Sequence, residues 1–358
     1  MSISLPNVSR LTRALGTGCL LVLLLGAAAS AQGDASLVQP KETRLRNIRQ
    51  LTFNGENAEA YLSFDERQLV LQAREDGMEC DQIYTMNIDG SERRRVSSGL
   101  GRTTCSYWLP DGEHVIFSST HAHADDCLPA PDRSKGYVWK LYPEFDIYVM
   151  KKDGSDLRPL FASEGYDAEA TVSPAGDRIV FTSTRDGDPE LYTMDIDGGN
   201  VRRLTFEKGY DGGAFFSQDG KKIVFRASRP KSAEELAAYD ELVGEHLVRP
   251  GRLEIFVMNA DGTDMRQITN NRSANFAPYM HPDGKRVIFC SNMDANDPRN
   301  FDLYIINLDG TGLERVTWFN EFDGFPMFTR DGKTLVFCSN RNNARSGDTN
   351  VFIADWVD

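Results

Sequence analysis

Short apolar runs, rich in β-branched and aromatic residues, alternate with polar turns over most of the chain. One run recurs six times and usually ends in Asp-Gly: QIYTMNIDG at 82–90, DIYVMKKDG at 146–154, ELYTMDIDG at 190–198, EIFVMNADG at 254–262, DLYIINLDG at 302–310 and NVFIADWVD at 350–358. Asp-Gly pairs suit tight hairpin turns, which need residues with positive φ. The pattern therefore predicts consecutive antiparallel strands.

A second apolar run precedes each copy: SFDERQLVL at 63–71, LPDGEHVIF at 109–117, SPAGDRIVF at 173–181, SQDGKKIVF at 217–225, HPDGKRVIF at 281–289 and TRDGKTLVF at 329–337. Successive copies start 46, 64, 44, 64 and 48 residues apart. A repeat in the mid-forties with four strands is typical of a propeller blade. We predict an all-β, six-bladed β-propeller of four-stranded antiparallel blades, in which the strands of the first blade span 58–64, 68–73, 82–88 and 93–97.

The last repeat lacks a fourth strand. Five copies of a motif such as VRRLTF at 201–206 follow the third strands, but none follows 350–358, and the missing copy, IRQLTF, lies at 48–53. We predict that this N-terminal strand pairs in the last blade and closes the ring, because closure removes an open sheet edge. An open solenoid is the alternative, and it would leave 48–53 far from the last repeat, which lacks a fourth strand.

The N-terminus has the pattern of a targeting segment. Arg10 and Arg13 precede an apolar run at 20–29, and small residues end at Ala31. This predicts a secretory signal peptide over 1–31, a linker over 32–47 and a propeller over 48–358, in a periplasmic or secreted protein with no integral membrane span after cleavage. The formal charge of −13 disfavours nucleic acid as a partner.

Five cysteines follow the predicted cleavage site: Cys80, Cys105, Cys127, Cys290 and Cys338. An odd number leaves at least one thiol unpaired within the chain or bonded to another molecule. Their spacing predicts no zinc site or redox pair, and the sequence leaves the pairing open.

The two repeated motifs resemble those of the TolB β-propeller family, with S-P-D-G-x-x-I-x-F followed by E-I-Y-x-M-x-x-D-G, over about 48–358. The resemblance implies a periplasmic, non-catalytic propeller that binds protein. It covers the propeller only, because 32–47 is too short for TolB's N-terminal α/β domain. Prolyl oligopeptidase-type enzymes have similar blades, but this chain has no G-x-S-x-G motif.

Each predicted first strand begins with a residue whose side chain carries oxygen. These residues are Asn57, Thr103, Asp167, Asp211, Asn275 and Asp323. A ring of six oxygens at the channel mouth suits Ca²⁺, a peptide terminus or a sugar. The alternative is that the side chains stabilise the loops before the strands. An Arg follows three second strands, as Arg185, Arg229 and Arg341, and is interpreted as an ion-pair partner or a ligand-binding residue.

Two repeats carry insertions between the second and third strands. The insertion at 120–144 contains His121, His123 and Asp125, which share one face of an extended segment and suit a transition metal, or else remain unliganded. The insertion at 230–252 begins with a capping box and predicts a short amphipathic helix. Both insertions must emerge on the same face of the propeller, and we expect binding there.

The leading functional interpretation is an exported, non-catalytic module without a required cofactor that binds a protein, a peptide or another component of the cell envelope. One alternative is a metal-assisted polysaccharide lyase or hydrolase that uses the propeller face. Another is a sugar or small-molecule binder that uses the central channel. The sequence names neither the partner nor the oligomeric state.

Overall fold

The computed structural model describes residues 37–358, apart from the side chain of Arg133. The predicted signal peptide, 1–31, lies outside the described residues. The predicted fold is confirmed, because six four-stranded antiparallel sheets surround a central channel, and the first strands of neighbouring blades contact one another. No helix among residues 37–358 is long and apolar enough to cross a membrane.

The strands are numbered along the chain and are given from the channel outwards. Blade 1 contains β2 (Glu56–Leu62), β3 (Gln68–Arg74), β4 (Gln82–Asn87) and β5 (Arg94–Arg95). Blade 2 contains β6 (Thr103–Trp108), β7 (His114–Ser119), β9 (Asp146–Lys151) and β10 (Arg158–Phe161). Blade 3 contains β11 (Asp167–Val172), β12 (Arg178–Ser183), β13 (Glu190–Asp195) and β14 (Arg202–Arg203). Blade 4 contains β15 (Asp211–Phe216), β16 (Lys222–Ala227), β18 (Glu254–Asn259) and β19 (Arg266–Gln267). Blade 5 contains β20 (Asn275–Met280), β21 (Arg286–Ser291), β22 (Asp302–Asn307) and β23 (Glu314–Arg315). Blade 6 contains β24 (Asp323–Phe328), β25 (Thr334–Ser339), β26 (Asn350–Trp356) and β1 (Leu45–Gln50).

The N-terminal strand closes the ring in blade 6. β1 pairs antiparallel with β26, with Arg49 opposite Ile353 and Gln50 opposite Phe352. The main chain continues this pairing to Leu51, whose amide donates to the Val351 carbonyl at 2.8 Å. The predicted closure is confirmed, although the strand begins and ends three residues earlier than the 48–53 motif.

The core lies between the blades, where the second strands present one large apolar side chain at an equivalent position. Five of these are phenylalanines that are at most 1% exposed: Phe117, Phe181, Phe225, Phe289 and Phe337. Full burial of such a side chain contributes about 1.5–3 kcal/mol. The repeated V-F or I-F ending of the second motif therefore encodes the packing of each blade on the next.

The two insertions meet on one face, as predicted. β8 (Trp139–Lys140), in the blade 2 insertion, pairs with β17 (Leu247–Val248), in the blade 4 insertion. The predicted helix is α1 (Ala233–Gly244), which begins at the capping box of Ser232 and Glu235 and buries Leu242. This strand pair and helix form a roof over part of the propeller face.

A disulfide fastens the blade 2 insertion to blade 1. Cys80, between β3 and β4, is bonded to Cys127, with their Cα atoms 5.7 Å apart. Cys105, Cys290 and Cys338 are free thiols. The bond fixes the start of the roof, because Cys127 lies between β7 and β8.

Candidate functional site

A bulge at the same place in all six innermost strands points one residue per blade into the channel. Strand pairing shifts register there, and the backbone of each bulged residue is left-handed, with φ between 47° and 60°. Bulges commonly redirect a side chain at a functional site. The six residues line the channel: Glu59, Cys105, Glu169, Gly213, Ala277 and Phe325.

An aromatic layer blocks the channel immediately below this ring. Tyr61 packs against Tyr107 and Phe215, with ring centroids 5.6 and 5.3 Å apart, and Phe215 packs against Tyr279 at 5.6 Å. The cavities on the two sides of this layer are small, about 30 and 40 Å³. The channel is therefore blind when viewed from the face that carries the insertions.

A large cavity lies above the ring, between the propeller and the roof. We call it the cup: it occupies about 1060 Å³, its floor contains Glu59 and Glu169, and its wall includes the roof residues 137–142 and 249–251. Six aromatic side chains are prominent in its wall: Tyr137, Trp139, Tyr142, Phe276, Phe301 and Phe322. A concave, mostly apolar cavity with a few converging polar groups is the usual form of a binding site.

Glu169 is held rigidly by its neighbours at the floor of the cup. Its carboxylate accepts hydrogen bonds from the Thr182 hydroxyl at 2.7 Å, the Tyr210 hydroxyl at 2.9 Å and the Gly213 amide at 3.0 Å. It also forms an ion pair with Arg226. A Cβ atom on Gly213 would collide with the Arg226 guanidinium, so this close packing requires glycine there.

Glu59 faces the cup without such support. Burial raises the pKa of this carboxyl to about 7, and Arg226 opposes that change. The charges of Glu169 and Asp81 raise the pKa further, while a hydrogen bond with the Cys105 thiol lowers it. Near neutral pH the floor of the cup therefore contains a carboxyl group that readily gains or loses a proton.

Replacing Glu59 with glutamine should stabilise the protein at alkaline pH. Folding raises the pKa of the Glu59 carboxyl from 4.5 to about 7, so the folded state favours the protonated form. The contribution of Glu59 to stability is therefore complete below about pH 4.5 and is lost as the pH rises through 7. E59Q should therefore exceed the natural chain in unfolding free energy by up to about 3 kcal/mol near pH 8 and match it near pH 4.

Urea unfolding at the two pH values measures this difference. E66Q is the matched control, since Glu66 lines the small cavity beyond the aromatic layer. Equal destabilisation of E59Q at both pH values would show that the fold needs this carboxylate.

The six oxygen-bearing residues of the predicted ring lie at or next to the start of the innermost strands and are all buried. Three join the predicted arginines, as Asp167 with Arg185, Asp211 with Arg229 and Asp323 with Arg341. The other three bind neighbouring groups: Thr103 donates to the Asp81 carbonyl, Asn275 donates to the Leu253 carbonyl, and Asn57 accepts from Arg93.

These contacts connect each strand to its own blade or to the preceding one. Among the described residues, the wall of the cup includes Thr103 but not the other five. A ligand-binding role for the ring stays a prediction. Glu59 and Glu169, which do face the cup, lie two positions after Asn57 and Asp167. Sequence reasoning missed both of them, and it also missed Arg226 on β16.

The predicted metal-binding side chains take separate partners. His121 Nδ1 lies 2.8 Å from the Ser119 hydroxyl, His123 Nε2 lies 3.0 Å from Asp146 Oδ2, and Asp125 is exposed. Within residues 37–358, no group of three or more His, Cys, Asp or Glu side chains is arranged to hold a metal ion. The metal site stays a prediction from the sequence.

The fold and the cup define this molecule as a six-bladed β-propeller with a roofed, blind cavity. The sequence profile of the TolB beta propeller domain matches residues 138–248 and 240–351, more than half of the chain. The chain therefore belongs to the TolB β-propeller family.

Solved structures with the same fold include a putative TolB from Agrobacterium tumefaciens, which is 20% identical, with a TM-score of 0.56 over 85% of this chain and 91% of that one. TolB from Acinetobacter baumannii is 19% identical, with a TM-score of 0.52 over 72% of this chain and 53% of that one. This chain thus matches about half the length of the Acinetobacter protein. An oligogalacturonate lyase solved with manganese is 13% identical, with a TM-score of 0.48 over 87% of this chain and 93% of that one.

Proposed function

We propose that this protein is an exported, non-catalytic binding module that takes a segment of a cell-envelope protein or peptide into the cup. The single observation that supports this most is the shape of the cup, which is large, roofed and closed at its floor. A blind cavity of this volume suits the tip or terminus of a polypeptide rather than a flat protein surface.

The wall of the cup supports a specific rather than a nonspecific contact. Tyr137 is 68% exposed at the rim, and Trp139 packs on Phe276 with ring centroids 5.1 Å apart. Tyrosine and tryptophan contribute large contact areas with little loss of conformational entropy, and they are enriched at the centres of interfaces. The aromatic rings are therefore placed to pack against a side chain that enters the cup.

Two features support action outside the cytoplasm. Residues 1–31 have the composition of a cleaved leader. The Cys80–Cys127 disulfide belongs to the class of bonds that persist in oxidising compartments. We include in the proposal that 1–31 is removed, that 32–47 leads into the ring, and that the propeller at 48–358 performs the binding.

Photo-crosslinking from the rim tests the proposal. A benzophenone amino acid replaces Tyr137 in one variant and Phe206, which is 70% exposed and outside the wall of the cup, in the control. In intact cells, the Tyr137 variant should trap a defined polypeptide segment, and the Phe206 variant should not. A synthetic peptide of that segment should bind the natural chain and lose at least about tenfold in affinity with Trp139→Ala.

The outcomes separate the candidate functions. Equal trapping from both positions, or a peptide whose affinity Trp139→Ala leaves unchanged, would contradict binding in the cup. The aromatic wall also suits the apolar face of a sugar. A sugar or small-molecule ligand would give no trapped polypeptide at Tyr137 while still protecting Trp139 from quenching.

A further inference from the structure

The floor of the cup contains one carboxylate that the described residues leave without a cationic partner. The guanidinium of Arg226 is committed to Glu169 and also donates to the Tyr210 hydroxyl at 3.0 Å. In residues 37–358, no Lys, Arg or His nitrogen lies within 4 Å of the Glu59 carboxylate oxygens. An ionised Glu59 therefore has no ion pair of its own, and the nearby charge of Arg226 is shared with Glu169.

The walls above Glu59 favour a positive group. The face of Trp139 already receives the Arg226 guanidinium carbon, which lies 5.1 Å from the ring centroid. The Tyr210 ring is roughly perpendicular to the same indole, with ring centroids 6.2 Å apart. Aromatic faces attract cations, and they do so more strongly where water is excluded. Glu59, Trp139 and Tyr210 thus line one cavity, in which Arg226 already occupies the Trp139 face and the Glu59 carboxylate offers a second position for positive charge.

The rim is mainly basic, although Asp81 also lines the cup near Arg102. Arg102, Lys140 and Arg249 line the cup, and among the described residues none has a carboxylate within 4 Å. Their nitrogens donate to main-chain carbonyls instead, those of Leu128, Glu245 and Lys135. A ligand that is positive at its tip and neutral or acidic behind it is complementary to both ends of the cup, whereas a uniformly basic ligand is repelled at the rim.

We propose that the cup recognises a single ammonium group, which enters at the tip of the ligand and donates its hydrogen bonds to the Glu59 carboxylate. The rest of the ligand lies against the aromatic wall and the basic rim. This inference rests on the proposed binding function and adds the chemistry of the ligand. An α-ammonium at a polypeptide terminus and a lysine ε-ammonium share that chemistry.

Calorimetric titration of the full chain with small probes tests the inference. At about pH 8, 2-phenylethylamine should bind at least about tenfold more tightly than its uncharged N-acetyl derivative. E59Q should abolish the difference, because glutamine keeps the shape and removes the charge. E66Q, on the other side of the aromatic layer, should keep it.

The pH dependence gives a second, independent readout. Glu59 has a pKa of about 7, and the groups that act on it are Arg226, Glu169, Cys105 and Asp81. Lowering the pH from about 8 to about 5.5 should weaken amine binding about 30-fold, since the ionised fraction falls by that factor while the amine stays protonated. The acetylated probe should show no such change.

The source of the ammonium is distinguished by two further probes. The isomers Nε-acetyl-L-lysinamide and Nα-acetyl-L-lysinamide present an α-ammonium and an ε-ammonium, respectively, and their affinities are compared per protonated molecule because the α-amine is partly neutral near pH 8. The tighter of the two identifies which kind of group the cup takes.

Equal binding of the amine and the acetylated probe, no binding of either, or an unchanged preference in E59Q would overturn the inference. If the ammonium inference fails but a peptide crosslinked from Tyr137 still binds in the cup, the proposed function is not contradicted. Failure of the crosslinking itself would contradict the proposed function.

Discussion

Replacing Arg341 with alanine should lower the free energy of unfolding by about 3–5 kcal/mol, because it leaves two buried carboxylates without a counter-charge. The Arg341 side chain is 2% exposed and joins Glu42 and Asp323, which are both fully buried, at 3.0 Å each. It also donates to the Leu37 carbonyl at 2.9 Å. The loss should therefore loosen the segment that precedes the closing strand. Urea unfolding at neutral pH measures the effect.

An exposed ion pair provides the control for this prediction. Arg299 is 88% exposed and pairs with Asp297, and Arg299→Ala should leave the free energy of unfolding almost unchanged, because solvent screens exposed pairs. A loss in Arg341→Ala as small as in this control would mean that the buried cluster is dispensable. Arg341→Lys should recover only part of the loss, because lysine lacks the planar fork that bonds two carboxylates at once.

Removal of the closing strand should have a still larger effect. A chain that begins at residue 54 lacks β1, exposes the edge of β26 and deprives Arg341 of Glu42. We expect it to lose more than about 5 kcal/mol, which is beyond the range of ordinary point substitutions, and to aggregate through the open edge. Circular dichroism and size-exclusion chromatography detect both results.

A rearranged chain separates closure from simple loss of residues. Here residues 37–53 follow Asp358 through a flexible linker of about ten Gly and Ser residues, so the same strand reaches the same vacancy from the other end. Lengthening a loop costs little free energy, and this variant should regain a cooperative unfolding transition. Failure to regain it while the natural chain unfolds cooperatively would contradict closure by β1.

The sequence predicts the fold well because the repeats encode it at several levels. Each Asp-Gly turn places two strands, each V-F or I-F ending supplies a buried phenylalanine, and the missing fourth strand leaves one place for the motif at 48–53. The capping box at Ser232 fixes the start of α1 by local hydrogen bonds alone. Features that depend on a few neighbouring residues, repeated six times, were therefore predictable.

The site was harder to predict because equivalent positions in a repeat serve structure more often than function. Asp167 and Asp211 recur because they pair with arginines of their own blades. Glu59 and Glu169 lie two residues further on, where the other blades carry Cys, Gly, Ala and Phe. The residue type at this bulged position differs from blade to blade. A search for residues that the repeats share therefore does not find it.

The roof depended on contacts between distant segments. The pairing of β8 with β17 and the Cys80–Cys127 bond join residues that no local pattern connects. The sequence placed both insertions on one face, but no local pattern showed whether the insertion at 120–144, which carries Tyr137, Trp139 and Tyr142, folds back or stays exposed. It folds back, and the cup exists because it does.

Hydrogen–deuterium exchange of the full chain with the peptide trapped from Tyr137 tests most directly that the ligand occupies the cup. Binding there should slow exchange in the roof at 137–142 and 249–251 and in the inner strands near Glu59 and Phe325. The aromatic layer should shield the opposite mouth, near Glu66 and Arg330, from any change. Slower exchange confined to that opposite mouth, with none in the roof, would contradict binding in the cup.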